Sequence, residues 1–313
     1  MQPLKGLLVV DFARYLPGPF ASCELLRLGA RVVRVEPPEG DPLRAVAPAW
    51  DAALNAGKES VVCDLGSGLA IAQALCDRAD VVLDSFRPGV LERLGLRVPE
   101  RVVWCSITGF GSEGPHARRA GHDLNYLGWA GALADTAPGL PPVQIADLGA
   151  GALAAVAEIL AALLERERTG RGRRLEISMT HGAHRLVAHR LRGDSVPRFL
   201  TGGIPCYQIY ETADGRFLTV GALEPKFWAR LCALVGRDDL VSRHFDPAAA
   251  DELAAVFAHR PLAEWLELFD GEDVCVGPVW TLDEAAAEFG SPVGGRPPAL
   301  GEHTEAWRRE LGL

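Results

Sequence analysis

The sequence predicts an α/β fold, with a parallel sheet in a large domain and a smaller α+β domain after it. Strand-like apolar runs alternate with helix-like segments over the first 110 residues, and the pattern changes to a hairpin and short helices after about residue 200. Such alternation is typical of a parallel sheet covered by helices. We assign residues 1–185 to the large domain and 200–280 to the small domain, and we expect 285–313 to return to the large one.

Short apolar runs predict the strands of the large domain. They lack the alternation of polar and apolar residues that marks a sheet with one wet face, so we expect helices on both faces. The predicted strands are Leu7–Phe12, Arg31–Glu36, Val61–Asp64, Val81–Asp84, Val102–Ile107 and Arg174–Met179.

The helices of the large domain are predicted from their end signals. Proline is favoured in a first helical turn and glycine just beyond a last one. The longest segment has Asp147 before it and Gly170 after it, so we expect Asp147 at the start of a long helix. The predicted helices are the segment from Pro19 to Gly29, Ala70–Arg78 and Leu148–Arg168.

A hairpin followed by helices predicts the small domain. The runs Tyr207–Tyr210 and Phe217–Val220 flank an Asp-Gly pair at 214–215, which is a strong turn signal between two strands. The helices predicted after this hairpin are Pro225–Val235, Pro247–Ala258 and Leu262–Leu268.

Composition limits the partners of this chain. A net charge of −9 opposes binding to nucleic acid, so an anionic ligand would need a local basic cluster. No run of 18 apolar residues lacks a charge, which predicts no membrane span. The seven cysteines include no C-x-x-C pair, which favours reduced thiols and a cytoplasmic location.

Several common catalytic signatures are missing. The first predicted strand is not followed by G-x-G-x-x-G, and neither a P-loop nor a G-x-S-x-G motif occurs. His181 and His184 are three residues apart but have no nearby acidic or cysteine ligand, so we predict no metal site there.

Segments along nearly the whole chain together resemble the family III CoA-transferase superfamily. Three further segments, 121–126, 202–207 and 221–227, are similar to its α-methylacyl-CoA racemase branch. The segments that carry the superfamily resemblance are Leu4–Gly6, Gly18–Pro19, Leu28–Ala30, Val35–Pro37, Gly40–Asp41 with Arg44, Lys58 with Asp64–Leu65, Ala79–Val81, Phe86–Gly89, Ser106–Gly111 with Gly114–Pro115, Cys275–Val279 and Leu300–Thr304.

The resemblance implies a Rossmann-like large domain, an interlocked homodimer and an acyl-CoA substrate, with no cofactor beyond the coenzyme A of that substrate. His122 and Asp147 match the two catalytic bases of the racemase, and Glu224 matches an acidic residue that supports the histidine. The residues that match coenzyme A contacts are Arg34, Asn55, Lys58, Arg87, Gly121, Asp123 and Tyr126.

The implied reaction is proton transfer at the α-carbon of a 2-methylacyl-CoA through an enolate. It needs one protonated and one deprotonated group on opposite faces of that carbon. An imidazole holds either form near its unperturbed pKa of about 6.5, whereas Asp147 would need burial to raise its pKa. Glycines 149 and 151 would let backbone and ligand approach closely, and helix N–H groups there would stabilise the enolate.

The same residues allow other interpretations. Asp147 is also explained as a helix N-cap, Glu224 as a charge in a first turn before Pro225, and His122 as a loop residue with a structural hydrogen bond. Two other functions remain: a CoA-transferase in which Asp147 is the nucleophile of an aspartyl-CoA thioester, and a non-catalytic acyl-CoA-binding protein.

Overall fold

The structure, a computed structural model, describes residues 2–193, 199–290 and 294–313. The chain divides into two compact units. The first contains Met1–Ala188 and Pro292–Leu313, and the second contains His189–Ser291.

Among the described residues of the first unit, six strands form one parallel sheet. They are β1 Leu8–Asp11, β2 Arg31–Glu36, β3 Glu59–Val62, β4 Val81–Asp84, β5 Val103–Thr108 and β6 Arg174–Ser178. The order is β3-β2-β1-β4-β5-β6, which confirms the predicted parallel sheet. The strands after β1 are first added on one side of it, as β2 and β3, and then on the other side, as β4, β5 and β6. Open α/β sheets bind ligands at the carboxyl ends of the strands beside such a switch point, which here lies between β1 and β4.

Helices cover both faces of this sheet. Val9 belongs to one apolar cluster with Leu25 and Ile159, and its neighbour Val10 belongs to another with Leu75. Successive side chains of a strand point to opposite faces, so the two clusters are the two covered faces. The helices up to residue 187 are α1 Pro17–Arg27, α2 Leu43–Val46, α3 Pro48–Asn55, α4 Ala70–Arg78, α5 Val90–Arg93, α6 Asp123–Trp129, a π-helix Ile145–Leu153, α7 Ala154–Thr169 and α8 Met179–Val187.

The long helix begins two residues before Asp147. Gln144 is its N-cap, and Ile145 is the first residue of a π-helix that continues into α7. The alternative that Asp147 is the N-cap is therefore wrong, because Asp147 lies inside the first turn. The helix ends at Gly170, whose φ of 70° fits the predicted glycine stop.

The π-helix packs tightly on α8 through two glycines. A Cβ on Gly151 would lie 2.9 Å from Met179 Cγ, and one on Gly182 would lie 2.7 Å from the Ala150 carbonyl oxygen. Gly151 therefore serves helix packing rather than the approach of a ligand that we expected from the sequence. Open space surrounds the Cβ position of Gly149.

Helix Ile145–Thr169 is long and apolar enough to cross a membrane by length and composition, with a mean hydropathy of 1.8 over its most apolar window. Its Ala155 and Ile159 are fully buried in the first apolar cluster. The core helix of a soluble protein meets the same criteria. The absence of a membrane span stays a prediction.

The second unit has a small antiparallel sheet in the part that the structure describes. Its strands are β7 Tyr207–Glu211, β8 Phe217–Gly221 and β9 Val276–Pro278, in the order β7-β8-β9. Gly215, with φ of 71°, forms the predicted turn between β7 and β8. Trp228 and Phe257 are fully buried in its core. The helices after this hairpin are α9 Pro225–Leu234, α10 Ala248–Phe257, α11 Leu262–Phe269 and α12 Leu282–Phe289.

Residues 294–313 contact the β3 edge of the first unit's sheet. The His303 N–H donates to the Ser60 carbonyl at 2.9 Å, and the Val62 N–H donates to Thr304 Oγ1 at 3.0 Å. The next helix, α13 Thr304–Leu311, buries Trp307. Positions 291–293 of the segment 285–313 lie outside the described residues.

Candidate active site

A cavity of about 320 Å³ opens in the first unit, at the carboxyl ends of β1, β4 and β5. Arg14 and Tyr15 follow β1, residues 85–88 follow β4, and Gly109 follows β5. The cavity therefore lies where the strand order reverses, which is the expected ligand position in such a sheet.

Half of the sequence-predicted site residues line this one cavity. They are Arg87, Gly121, His122, Tyr126 and Asp147. Asp123 contacts Asp147 directly, as described below. Two segments about 25 residues apart thus contribute an imidazole and a carboxyl group to the lining of one cavity.

His122 directly precedes α6. Its backbone is extended, with φ of −127° and ψ of 176°, and its N–H donates to Asn125 Oδ1 at 3.0 Å. This bond fixes the main chain at the start of the helix. The His122 side chain is exposed at the cavity wall, where it can exchange protons with a bound molecule.

Asp147 has the raised pKa that the proposed chemistry needs. Burial, followed by the nearby negative charge of Asp123, raises its pKa to about 7. Its own N–H donates to Asp123 Oδ1 at 2.9 Å. This N–H already donates to Asp123, so it is not one of the free backbone donors that we expected at the helix start.

Tyr126 holds the loop before His122. Its phenol donates to the Gly121 carbonyl oxygen, and its ring is buried between two glycines. A Cβ atom added to Gly109 would lie 2.6 Å from this ring, and one added to Gly121 would lie 2.7 Å from it. Burial raises the pKa of Tyr126 to about 12, so the phenol keeps the proton that it donates.

We expect Gly109→Ala to destabilise the protein by about 1–3 kcal/mol, because the added methyl group meets the Tyr126 ring. The matched control is Gly128→Ala in α6, where open space surrounds the Cβ position and alanine favours the helix by up to about 1 kcal/mol. Urea unfolding of both variants measures the difference. Equal stabilities would contradict this packing.

Lys58 and Asn55 lie in a buried cluster instead of the cavity wall. The Lys58 ammonium donates to the Pro19 carbonyl at 2.8 Å, Ser22 Oγ at 2.7 Å and Asn55 Oδ1 at 2.9 Å. Asp11 Oδ2 is 3.8 Å away, and both charged side chains are fully buried. Burial lowers the pKa of Lys58 to about 8 and raises that of Asp11.

Arg34 is also buried among acidic side chains. Its Nη2 lies 2.7 Å from Asp51 Oδ1 and 3.3 Å from Asp41 Oδ2, and its Nε lies 3.4 Å from Glu36 Oε1. In this structure Asn55, Lys58 and the two Nη groups of Arg34 thus bind protein groups, whereas the buried Nε of Arg34 makes no hydrogen bond to any residue that the structure describes. Their contact with coenzyme A stays a prediction.

Glu224 lies in the second unit. It is the N-cap residue before Pro225 and α9, and its exposed side chain makes no capping hydrogen bond. The predicted support of His122 by Glu224 stays a prediction.

The sequence interpretation missed Arg14 and Tyr15, which both line the cavity. Tyr15 has a φ of 64°, and its N–H donates to Asp41 Oδ2 at 3.1 Å. The Arg14 guanidinium lies 5.5 Å from the centroid of the Phe86 ring. Their position just after the first strand is the signal that would have identified them.

The two histidines of α8 make local contacts. His181 Nδ1 is 2.7 Å from Ser178 Oγ, and His184 Nδ1 is 2.9 Å from the Ala130 carbonyl oxygen. Within 2–193, 199–290 and 294–313, no group of three or more His, Cys, Asp or Glu side chains is arranged to hold a metal ion.

Comparison with known proteins finds similarity over nearly the full length. The family described as CoA-transferase family III matches residues 4–290. Human α-methylacyl-CoA racemase is 35% identical, over 99% of this chain and 94% of that protein. Mouse succinyl-CoA:glutarate CoA-transferase is 31% identical, over 92% of this chain and 74% of that protein. The crystal structure of Rv3272 from M. tuberculosis matches with a TM-score of 0.82 and 30% identity, over 98% of this chain and 99% of that one.

Proposed function

Because the chain belongs to CoA-transferase family III, we propose that it is an acyl-CoA racemase or epimerase acting on 2-methylacyl-CoA thioesters. The observation that carries the proposal is the shared cavity of His122 and Asp147, in which burial and Asp123 bring the pKa of Asp147 to about 7. A carboxyl group with that pKa changes protonation state near neutral pH, as a reversible acid and base must.

In the proposed reaction the Asp147 carboxylate takes the α-proton of the thioester. The electron pair of the C–H bond moves toward the thioester carbonyl and gives an enolate. The His122 imidazolium then returns a proton to the opposite face of the same carbon. Asp147 ends protonated and His122 neutral, which is the starting state for the reverse reaction, so no oxidant or added cofactor is consumed.

Two further features of the cavity support an enolate and a CoA ester. The first turn of the π-helix, which contains Asp147, brings the positive end of a helix dipole toward a developing negative charge. Arg87 lines the cavity after β4, where a guanidinium would bind a phosphate of coenzyme A. By resemblance to the racemase, we assign Glu224 the role of supporting His122.

We also propose a cytoplasmic homodimer, which the resemblance implies. The helix Ile145–Thr169 has Leu153 and Leu164 exposed by 50% and 65%. Leu186 on α8 is exposed by 54%. Burial of large apolar side chains such as these against a second copy would remove them from water.

CoA transfer is the second candidate, and the similarity to a succinyl-CoA:glutarate CoA-transferase favours it. Asp147 would then attack an acyl-CoA as a nucleophile, forming first an acyl-aspartyl anhydride and then an aspartyl-CoA thioester. The carboxyl group would have to be ionised for that attack, which its pKa of about 7 allows at higher pH.

We expect the folded protein to exchange the α-hydrogen of both enantiomers of a 2-methylacyl-CoA for deuterium in D₂O and to interconvert them. Proton NMR measures the exchange, because the α-methyl doublet collapses to a singlet, and chiral chromatography measures the interconversion.

The same samples distinguish the alternatives. Transfer of CoA to an added carboxylate, with a covalent adduct trapped on Asp147 and no α-exchange, would establish the transferase. Binding of the acyl-CoA with neither reaction would leave a non-catalytic binding protein.

A further inference from the structure

We propose that Asp123 is a positioning residue for Asp147, holding its main chain at the cavity wall and placing a second carboxyl group beside it. This inference rests on the proposed function, since it assigns Asp123 a part in the same proton transfer. Neither the sequence nor the comparisons give the Asp123 side chain this role.

The contact joins two parts of the chain that carry the acid and the base. Asp123 is the first residue of α6 and directly follows His122. Its Oδ1 accepts the N–H of Asp147 at 2.9 Å, 24 residues further along the chain. A hydrogen bond between a carboxylate and a backbone N–H is charge-assisted and short. One side chain therefore fixes the spacing between the start of α6 and the first turn of the π-helix.

The same contact places two carboxyl groups close together. Asp123 is half-buried, so its charge is screened less than that of a surface residue. When Asp147 ionises, it must do so beside an existing negative charge and in a partly desolvated position. The Asp147 carboxylate is then a stronger base than an exposed aspartate, which suits the removal of a weakly acidic C–H proton.

Other charged groups surround the π-helix and must be separated from this effect. In the cavity, the further titratable side chains are Arg14, Tyr15, Arg87, Arg119, His122 and Tyr126. On the other elements packed against the π-helix they are Cys23, Glu24 and Arg27 on α1, Tyr126 on α6, Cys105 on β5, Arg174 and Glu176 on β6, Glu158, Glu165, Arg166, Glu167 and Arg168 on α7, and His181, His184 and Arg185 on α8. Asp123 is the neighbour whose charge raises the pKa of Asp147.

The test replaces Asp123 in two ways. Asp123→Asn removes the charge but leaves an amide oxygen that can accept the Asp147 N–H, and Asp123→Ala removes both. The control is Asp135→Asn, which removes one exposed carboxylate from the segment between α6 and the π-helix. Carbon-13 labelling of aspartate carboxyl groups follows the titration of Asp147, whose signal is identified by its loss in Asp147→Asn.

We expect Asp147 to titrate with a midpoint near pH 7 in the parent protein and in Asp135→Asn. In Asp123→Asn the midpoint should fall by roughly one pH unit, because a neighbouring negative charge is lost. The lower limb of the pH profile for α-hydrogen exchange should move the same way. Asp123→Ala should also lose roughly 10- to 100-fold in kcat, because Asp147 is no longer held in place.

An unchanged Asp147 midpoint in Asp123→Asn would overturn the inference, whether or not the protein is a racemase. The NMR titration needs no substrate, so it stays informative if the parent protein shows no α-exchange. That second result would refute the proposed function and leave the electrostatic link between the two aspartates standing. Equal midpoint changes in Asp123→Asn and Asp135→Asn would also overturn it, because the effect would then be general.

Discussion

Asp147→Asn is expected to lower the rate at which the two enantiomers interconvert by at least about 1000-fold, the upper range for loss of a general acid or base. An amide neither takes nor returns a proton at neutral pH, so interconversion should fail in both directions, and exchange should fail for the enantiomer whose α-hydrogen faces Asp147. Chiral chromatography measures the interconversion, and the collapse of the α-methyl doublet in D₂O measures exchange for each enantiomer separately. Retention of more than a tenth of the parent rate would rule out Asp147 as a catalytic base.

The same variant provides its own control for folding. The pKa of Asp147 is raised from 3.8 to about 7 in the folded protein, so the parent loses stability as pH rises through that interval. Asparagine carries no charge at any of these pH values. Asp147→Asn should therefore equal the parent in stability near pH 4 and exceed it at pH 8 by about 1–3 kcal/mol, after allowance for solvent screening.

Lys58→Met is expected to lower the free energy of unfolding by about 3–5 kcal/mol. Methionine fills a similar volume, but it leaves the fully buried Asp11 without its cation. The carbonyl of Pro19 and the amide oxygen of Asn55 also lose a donor. Urea unfolding at pH 7 gives the value.

Two further variants separate charge from packing in this cluster. Arg27→Met breaks an exposed ion pair with Glu24 and should change the stability little, because solvent screens such a pair. Adding Asp11→Leu to Lys58→Met should restore part of the stability, because the unpaired buried charge is then gone. A loss below about 1 kcal/mol for Lys58→Met would show that the buried pair contributes little.

Apolar runs in the sequence were sufficient to locate most of the sheet. The strands Arg31–Glu36 and Val81–Asp84 have the predicted bounds, and β6 differs at one end only. Buried parallel strands leave a short, compact apolar run, and its length and its β-branched residues separate it from a buried helix segment. The glycine at 170 likewise marked the end of the long helix, because few other residues adopt its conformation.

The start of that helix could not be predicted by the same reasoning. Its first nine residues form a π-helix, whose wider turn leaves no periodic signal that separates it from an α-helix. Asp147 was therefore expected at the helix start, although Ile145 is the first helical residue. The bond from Asp147 to Asp123 crosses 24 residues, and no local pattern in the sequence indicates it.

Charged residues of the cluster around Lys58 were the hardest to interpret. Arginine and lysine are usually exposed, so a sequence offers no sign that Arg34 and Lys58 are enclosed. The structure gives Arg34 three carboxylate neighbours and Lys58 three oxygen acceptors. Similarity to a family therefore identifies which residues occupy equivalent positions. The contacts of each side chain still depend on its surroundings in this chain.

The return of residues 294–313 to the β3 edge affects how the protein is made. A ribosome completes the first unit's sheet strands well before it reaches this segment, because the second unit is translated in between. During that interval the nascent sheet lacks the contacts at Ser60 and Val62, and an uncovered strand edge invites pairing with other chains. Chaperone demand should therefore be greatest while the second unit is being synthesised.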